Sequence, residues 1–91
     1  MEEIHTENEK AALKVYPNPA VNEVNIELFH APGNYEVVMR DMQGREVKRQ
    51  RMEETGFDSK HLLLPIQGLP SGMYTIEIIG EERHVVKVRV E

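Results

Sequence analysis

The sequence lacks cysteine and tryptophan, and its only aromatic residues are three tyrosines and two phenylalanines. Without cysteine the fold has no disulfide, and the chain offers neither a thiolate nucleophile nor a cysteine ligand for zinc. A chain of 91 residues must therefore hold together by packing one small core, which leaves few residues for a deep catalytic pocket. We expect a single domain that is not an enzyme.

Positive charge and long hydrophobic runs are also scarce. Eleven Lys and Arg residues face sixteen Asp and Glu residues, a net charge of −5. Nucleic acids and anionic membranes select clustered positive charge, so we expect neither as a partner. The apolar run His61–Ile66 falls far short of the ~20 residues that span a bilayer. Residues 1–12 are too polar and acidic for a signal peptide, so an exported protein would carry its signal upstream.

Residues that could support catalysis or metal binding are few and badly spaced. In Gly68–Gly72 the serine, Ser71, stands fourth of five and not third, so the nucleophile-elbow pattern is missed. The histidines lie more than twenty residues apart, which gives no metal-ligand pair. We therefore predict no catalytic residue, no metal site, no cofactor and no small-molecule substrate.

From Leu13 onward, short β-branched runs are broken by Gly, Pro, Asn or Asp at intervals of about ten residues, a pattern typical of an all-β sandwich or barrel. Residues 1–12 show no such pattern and are predicted to form a flexible tail or linker, which leaves 13–91 as the folded domain. The seven predicted strands are Leu13–Tyr16, Glu23–Phe29, Tyr35–Arg40, Arg45–Met52, His61–Ile66, Tyr74–Ile79 and His84–Val90.

Several side-chain positions follow from this reading. Glu53–Ser59 is predicted to be a loop with Phe57 turned inward. The contiguous leucines of His61–Ile66 suggest either burial on both faces or a twist between the sheets. Alternation places Glu77 on the outer face of its strand. The basic run Arg45–Arg51 could dock an anionic partner. Its cations lie on both faces of the strand, however, which favours an edge strand protected from pairing with other chains.

Three turns have recognisable chemistry. Pro17-Asn18-Pro19 must end the first strand, because proline cannot donate a ladder hydrogen bond. Asp41-Met42-Gln43-Gly44 predicts a hairpin in which the aspartate binds nearby backbone and the glycine adopts a positive φ. In Leu69-Pro70-Ser71-Gly72-Met73-Tyr74, a glycine before an inward tyrosine resembles the tyrosine corner of β-sandwiches, whose phenol binds backbone upstream.

Taken in chain order, these motifs resemble the type A C-terminal sorting domain of the type IX (Por) secretion system. The resemblance covers Leu13–Glu91, with a lysine inside the final hydrophobic strand. It implies an immunoglobulin-like antiparallel β-sandwich of about seven strands. The positions that match the family motifs are Pro17, Asn18, Pro19, Asp41, Gly44, Leu69, Gly72, Tyr74 and Lys87.

The resemblance also implies a function. Such a domain carries a covalently linked upstream cargo from the periplasm through the outer-membrane translocon to the cell surface or medium. A sortase-like protease then commonly removes it, here within or upstream of Met1–Ala12. We expect the last strand to be read directly through Val86, Val88, Arg89 and Val90, with Lys87 supplying a charge contact and strand addition supplying main-chain bonds. The same edge could also form a dimer.

Two other functions stay open. A fibronectin-III-like adhesion or spacer domain would share the tyrosine corner, although such domains usually carry a buried tryptophan that is absent here. A carbohydrate-binding accessory module would need a flat aromatic surface. Core roles are open to all the aromatic residues, which are Tyr16, Phe29, Tyr35, Phe57 and Tyr74. The fold alone does not decide between these functions.

Overall fold

The computed structural model describes residues 2–5 and 12–91, and these residues form nine β-strands. Among the described residues no helix is long and apolar enough to cross a membrane. The predicted all-β sandwich is confirmed, with two strands more than the sequence predicts. The strands are β1 (Glu2–His5), β2 (Ala12–Tyr16), β3 (Glu23–Phe29), β4 (Glu36–Arg40), β5 (Glu46–Arg51), β6 (Glu53–Gly56), β7 (Ser59–Pro65), β8 (Gly72–Ile79) and β9 (Arg83–Val90).

The strands make two sheets in which every neighbouring pair is antiparallel. One sheet has the order β1-β2-β3-β7-β6 and the other the order β5-β4-β8-β9. The chain passes from one sheet to the other after β3, after β5 and after β7. Strands β5 and β9 are therefore the two edges of the four-stranded sheet, which confirms that the basic run Arg45–Arg51 lies at an edge.

The core lies between the sheets and follows the period-two alternation of the strands. On β3 the side chains of Val24, Ile26 and Leu28 are fully buried, while Glu23, Asn25 and Glu27 point away from the core. The four-stranded sheet contributes an apolar inner face of its own. That face includes Val37, Met39, Tyr74, Ile76, Ile78, Val86, Val88 and Val90.

The outer face of the four-stranded sheet carries buried groups as well. Val38 is fully buried although it points away from the core, and its neighbours across the ladders are Arg49 and Glu77. Glu77 lies on the outer face, as predicted, but is only 8% exposed. A layer of charged side chains therefore shields part of this face from water.

The β6–β7 hairpin corrects three predictions. Residues 53–56 form strand β6, so the predicted loop Glu53–Ser59 was wrong over that part. Phe57 lies at the hairpin tip with 94% of its surface exposed, so its inward placement was also wrong. Leu63 is 43% exposed between buried Leu62 and Leu64, so β7 is buried on one face only. Phe57 is also the only exposed aromatic residue, and the five aromatic residues form no flat exposed platform.

The predicted tail, residues 1–12, lies partly within the described residues. Glu2–His5 forms β1 and pairs with β2, and Ala12 is the first residue of β2. The remaining residues of that segment lie outside the described residues. The domain boundary at Leu13 therefore stays a prediction.

Candidate functional site

The hairpin between β4 and β5 is held by Asp41. Its Oδ1 accepts hydrogen bonds from the backbone N–H groups of Gln43 and Arg45, both at 2.9 Å, and its Oδ2 accepts one from Arg45 Nε at 2.9 Å. The Arg45 N–H is the main reason that the pKa of Asp41 is lowered, and the guanidinium adds to it. Gly44 has a φ of 85° and donates to the Asp41 carbonyl at 3.0 Å. Both predicted features of this turn are confirmed.

The connection between β7 and β8 forms a tyrosine corner. The hydroxyl of buried Tyr74 donates to the Pro70 carbonyl at 2.6 Å, so the phenol binds backbone upstream as predicted. Gly72 has a φ of 151°, a conformation that L side chains rarely adopt. Leu69 packs against the core at the start of this corner. These residues fix the path by which the chain enters β8.

The segment after β2 binds the end of the last strand. Asn18 Oδ1 accepts a hydrogen bond from the backbone N–H of Arg89 at 3.0 Å, across 71 residues of sequence. Ala20 N–H donates to the Arg89 carbonyl at 2.8 Å, and the Ala20 carbonyl accepts from Glu91 N–H at 2.9 Å. Ala20 and Val90 form an isolated parallel bridge. We call this contact between residues 18–20 and 89–91 the latch.

The motifs therefore meet at one end of the sandwich, which we call the motif end. The latch holds Arg89 and Val90, whose partners on β8 are Met73 and Gly72. Residues 70–74 in turn form a groove of about 290 Å³ with the hairpin residues Asp41, Met42, Gln43 and Arg45. Sequence predicted each motif separately, and the structure brings them into one contiguous region.

The structure places the predicted recognition residues on two different faces of β9. Val86, Val88 and Val90 point into the core and are at most 6% exposed. Lys87 and Arg89 lie on the outer face and are exposed. Lys87 makes no hydrogen bond or ion pair with any described residue, whereas Arg89 Nε lies 3.5 Å from Glu91 Oε2. The side chains of Val86, Val88 and Val90 are accessible to a partner only if the two sheets separate.

An ion-pair network on the outer face was not predicted. Glu77 binds Arg40 at 2.9 Å and also binds Arg83, and these hydrogen bonds, that of Arg40 first, lower the pKa of Glu77. On the adjoining strands Arg49 binds Glu36 at 2.7 Å and Glu46 at 3.0 Å. Alternation identifies the face of each residue but does not identify its partners, which depend on strand order. The role of Ala20 in the latch was not predicted for the same reason, because its partners Arg89 and Glu91 lie far along the chain.

The geometry defines a small all-β sandwich whose turn motifs gather around the end of its last strand. In the part of the chain that the structure describes, no three His, Asp or Glu side chains form a metal-ligand cluster. The family model for the secretion system C-terminal sorting domain matches residues 14–90. The chain belongs to this family, the C-terminal sorting domains of the type IX (Por) secretion system.

Family membership has direct consequences. The domain is a sorting-signal domain, a family that is not catalytic, and its membership implies an exported protein with a linked cargo region. No curated protein sequence matches the chain. The family does not by itself identify which residues are recognised, and the geometry of the motif end and of β9 supplies the candidates.

Proposed function

We propose that this domain directs an upstream cargo through the type IX translocon across the outer membrane, after transit through the periplasm. A sortase-like protease then removes the domain at the surface, within or upstream of residues 1–12. The observation that carries this proposal is the match of residues 14–90 to the sorting-domain family. In the latch, Asn18 binds the backbone of Arg89 across 71 residues. A contact of that kind exists only in the folded sandwich, so the signal is a three-dimensional surface.

The motif residues contribute to that surface mainly by fixing backbone. Asp41, Tyr74 and Asn18 all direct side-chain polar atoms at main-chain groups within the domain. Such bonds leave little of each side chain for an outside partner. The groups that remain available at or near the motif end are the exposed cations Lys87 and Arg89 on β9. We therefore assign recognition to β9 and shape to the three turn motifs.

The test is an export assay with the full 91-residue chain. The chain is placed behind a periplasmic signal peptide and a fluorescent reporter, in a strain with a working type IX system and in a translocon-null strain. We expect reporter at the surface or in the medium only in the working strain. Periplasmic reporter in both strains would contradict the proposal and would favour the adhesion module. Reporter outside both strains would also contradict it.

A further inference from the structure

The outer edge of β9 is open over part of its length. Both backbone groups of Arg89 point away from β8, because they bind Asn18 and Ala20 of the latch. In an antiparallel ladder alternate residues direct their backbone groups to the same side. The N–H and C=O groups of Val85 and Lys87 therefore point outward too. Among the described residues nothing pairs with them, and we call this stretch the open edge.

The opposite edge of the same sheet is built differently. The β4–β5 ladder contains an irregularity between Met39 and Arg40, and β5 places Lys48 opposite core-facing Met39. Bulges and inward charges are devices that stop an edge from pairing with another chain. Strand β9 pairs with β8 over eight residues without a bulge, and its inner row includes Val86, Val88 and Val90. A regular edge without a bulge favours strand addition.

The charge beside the open edge indicates what it would accept. Arg83 and Lys87 lie on the outer face of β9 on either side of Val85, and Arg89 follows at the latch, in a protein of net charge −5. Arg83 already binds Glu77 and Arg89 lies beside Glu91, so Lys87 is the cation of this strand that is left for a partner. Lys87 has no ion pair with any described residue, and Val85 between the cations is 47% exposed. An added strand with acidic residues at alternate positions would place carboxylates opposite this row.

We propose that the open edge binds an extended acidic strand of a partner protein by β-strand addition. The inference rests on the proposed function, since the partner would belong to the export apparatus. The latch sets the limit of the added strand, because Asn18 and Ala20 already occupy the edge at Arg89. Pairing is therefore confined to about residues 83–87. This segment is shorter than β9 and begins before the predicted recognition strand Val86–Val90.

A second copy of this chain does not fit the same edge. Antiparallel pairing of two open edges centred on Val85 would bring Arg83 of each copy opposite Lys87 of the other. Like charges directly opposite each other on a sheet are destabilising. The occupant that suits this edge therefore has the opposite charge.

Proline at position 85 tests the main-chain contact. Val85→Pro removes an N–H that points to solvent, and proline is tolerated at such positions of edge strands. Val85→Thr changes the side chain but keeps the N–H. Arg51→Pro is the matched control on β5, where the Met52 N–H bond to the Tyr35 carbonyl places the Arg51 N–H outward as well. Circular dichroism and thermal unfolding are used to check that each variant is folded.

Binding is measured by NMR with a synthetic peptide that alternates glutamate and threonine. We expect it to shift the amide signals of Val85 and Lys87, and a lysine–threonine peptide to leave them unchanged. Val85→Pro should weaken binding at least about tenfold, whereas Val85→Thr and Arg51→Pro should bind as the unaltered chain does. Unshifted β9 amides, equal binding of both peptides, or self-association through β9 would each overturn the proposal.

The export assay separates this inference from the proposed function. If the unaltered chain exports the reporter, we expect Val85→Pro to lose most export while Val85→Thr and Arg51→Pro retain it. Export of Val85→Pro at the level of Val85→Thr would overturn strand addition and leave the sorting function intact. Failure of the unaltered chain to export would overturn the sorting function, and peptide binding would still decide strand addition.

Discussion

The two ends of the sandwich close in different ways. At the motif end, the side chains of Asn18, Asp41 and Tyr74 bind backbone groups and thereby join or shape the turns. At the opposite end, formed by residues 30–35, 57–58 and 80–82, closure depends more on packing. There buried Tyr35 lies directly against the backbone of Gly80.

The opposite end also contains less complete hydrogen bonding. Lys60 is buried and donates its Nζ proton to the Ala31 carbonyl at 2.6 Å. Glu82 Oε1 and His84 Nε2, however, are buried without a hydrogen bond to any described residue and lie 3.6 Å apart. At the motif end, by contrast, Asn18, Asp41 and Tyr74 all bind backbone groups at 2.6–3.0 Å. This difference explains why the family motifs mark one end, and it predicts that changes at the two ends separate stability from sorting.

Gly80→Ala should give the largest change in stability. A Cβ at this position would lie 2.4 Å from Tyr35 Cδ2, so the buried ring would have to move. We expect a loss of about 1–3 kcal/mol in the free energy of unfolding, measured by urea denaturation. Export at a temperature where the variant is folded should be unchanged.

Gly56→Ala is the matched control at the same end. Its Cβ would meet only Ser59 Cβ, at an ordinary contact distance of 3.9 Å. If Gly80→Ala were no less stable than Gly56→Ala, packing of Tyr35 would not close this end. An export defect in folded Gly80→Ala would show that the two ends do not differ in function.

Tyr74→Phe should give an intermediate change at the motif end. The substitution keeps the ring in the core and removes the 2.6 Å hydrogen bond to the Pro70 carbonyl. We expect a loss of about 1 kcal/mol in unfolding free energy together with reduced export. Tyr35→Phe is the control at the opposite end, where the hydroxyl accepts a longer bond of 3.4 Å from Glu82 N–H. Equal losses in the two variants would contradict the difference between the ends.

Sequence predicts the local parts of the motif end well. The Asp41–Gly44 turn and the Tyr74–Pro70 bond each lie within five residues, so chain geometry alone brings their groups together. The alternation of β3 likewise identifies its buried face without knowledge of its neighbours. In these cases the structural feature depends only on residues that are close together in the sequence, so the local pattern is enough to predict it.

The remaining features depend on long-range pairing. Strand β6 has four exposed polar or glycine residues and no alternation, so only its ladder with β7 makes it a strand. Phe57 is exposed because it falls in the tight turn of that hairpin. The bond from Arg89 to Asn18 requires the relative placement of both sheets, which no local pattern encodes. The latch is therefore the part of the motif end that is least accessible from sequence.

Asn18→Ala should change stability less than Tyr74→Phe but should alter β9 specifically. The bond to the Arg89 N–H lies near the surface, and its loss should cost about 0.5–1 kcal/mol. Hydrogen exchange should show the Arg89 amide exchanging faster, and export should fall because the end of β9 is no longer held. Asn34→Ala is the control, an exposed residue at the opposite end whose side chain makes no bond to any described residue. Unchanged exchange at Arg89 would contradict a role for the latch.

Asp41→Asn should have the smallest effect, visible chiefly in the dependence of stability on pH. The pKa of Asp41 is lowered in the folded state from its ordinary value of 3.8, first by the Arg45 N–H. A carboxylate with a lowered pKa stabilises the fold above its unfolded pKa, and this contribution is lost as pH falls through the folded pKa. Unfolding free energy should therefore fall less steeply below about pH 4 in Asp41→Asn than in the unaltered chain. Asp58→Asn, in the β6–β7 hairpin at the opposite end, is the control. The Asp58 carboxylate accepts no hydrogen bond from any described residue. If unfolding free energy fell equally with pH in Asp41→Asn and in the unaltered chain, the hairpin of the motif end would be held by backbone geometry alone.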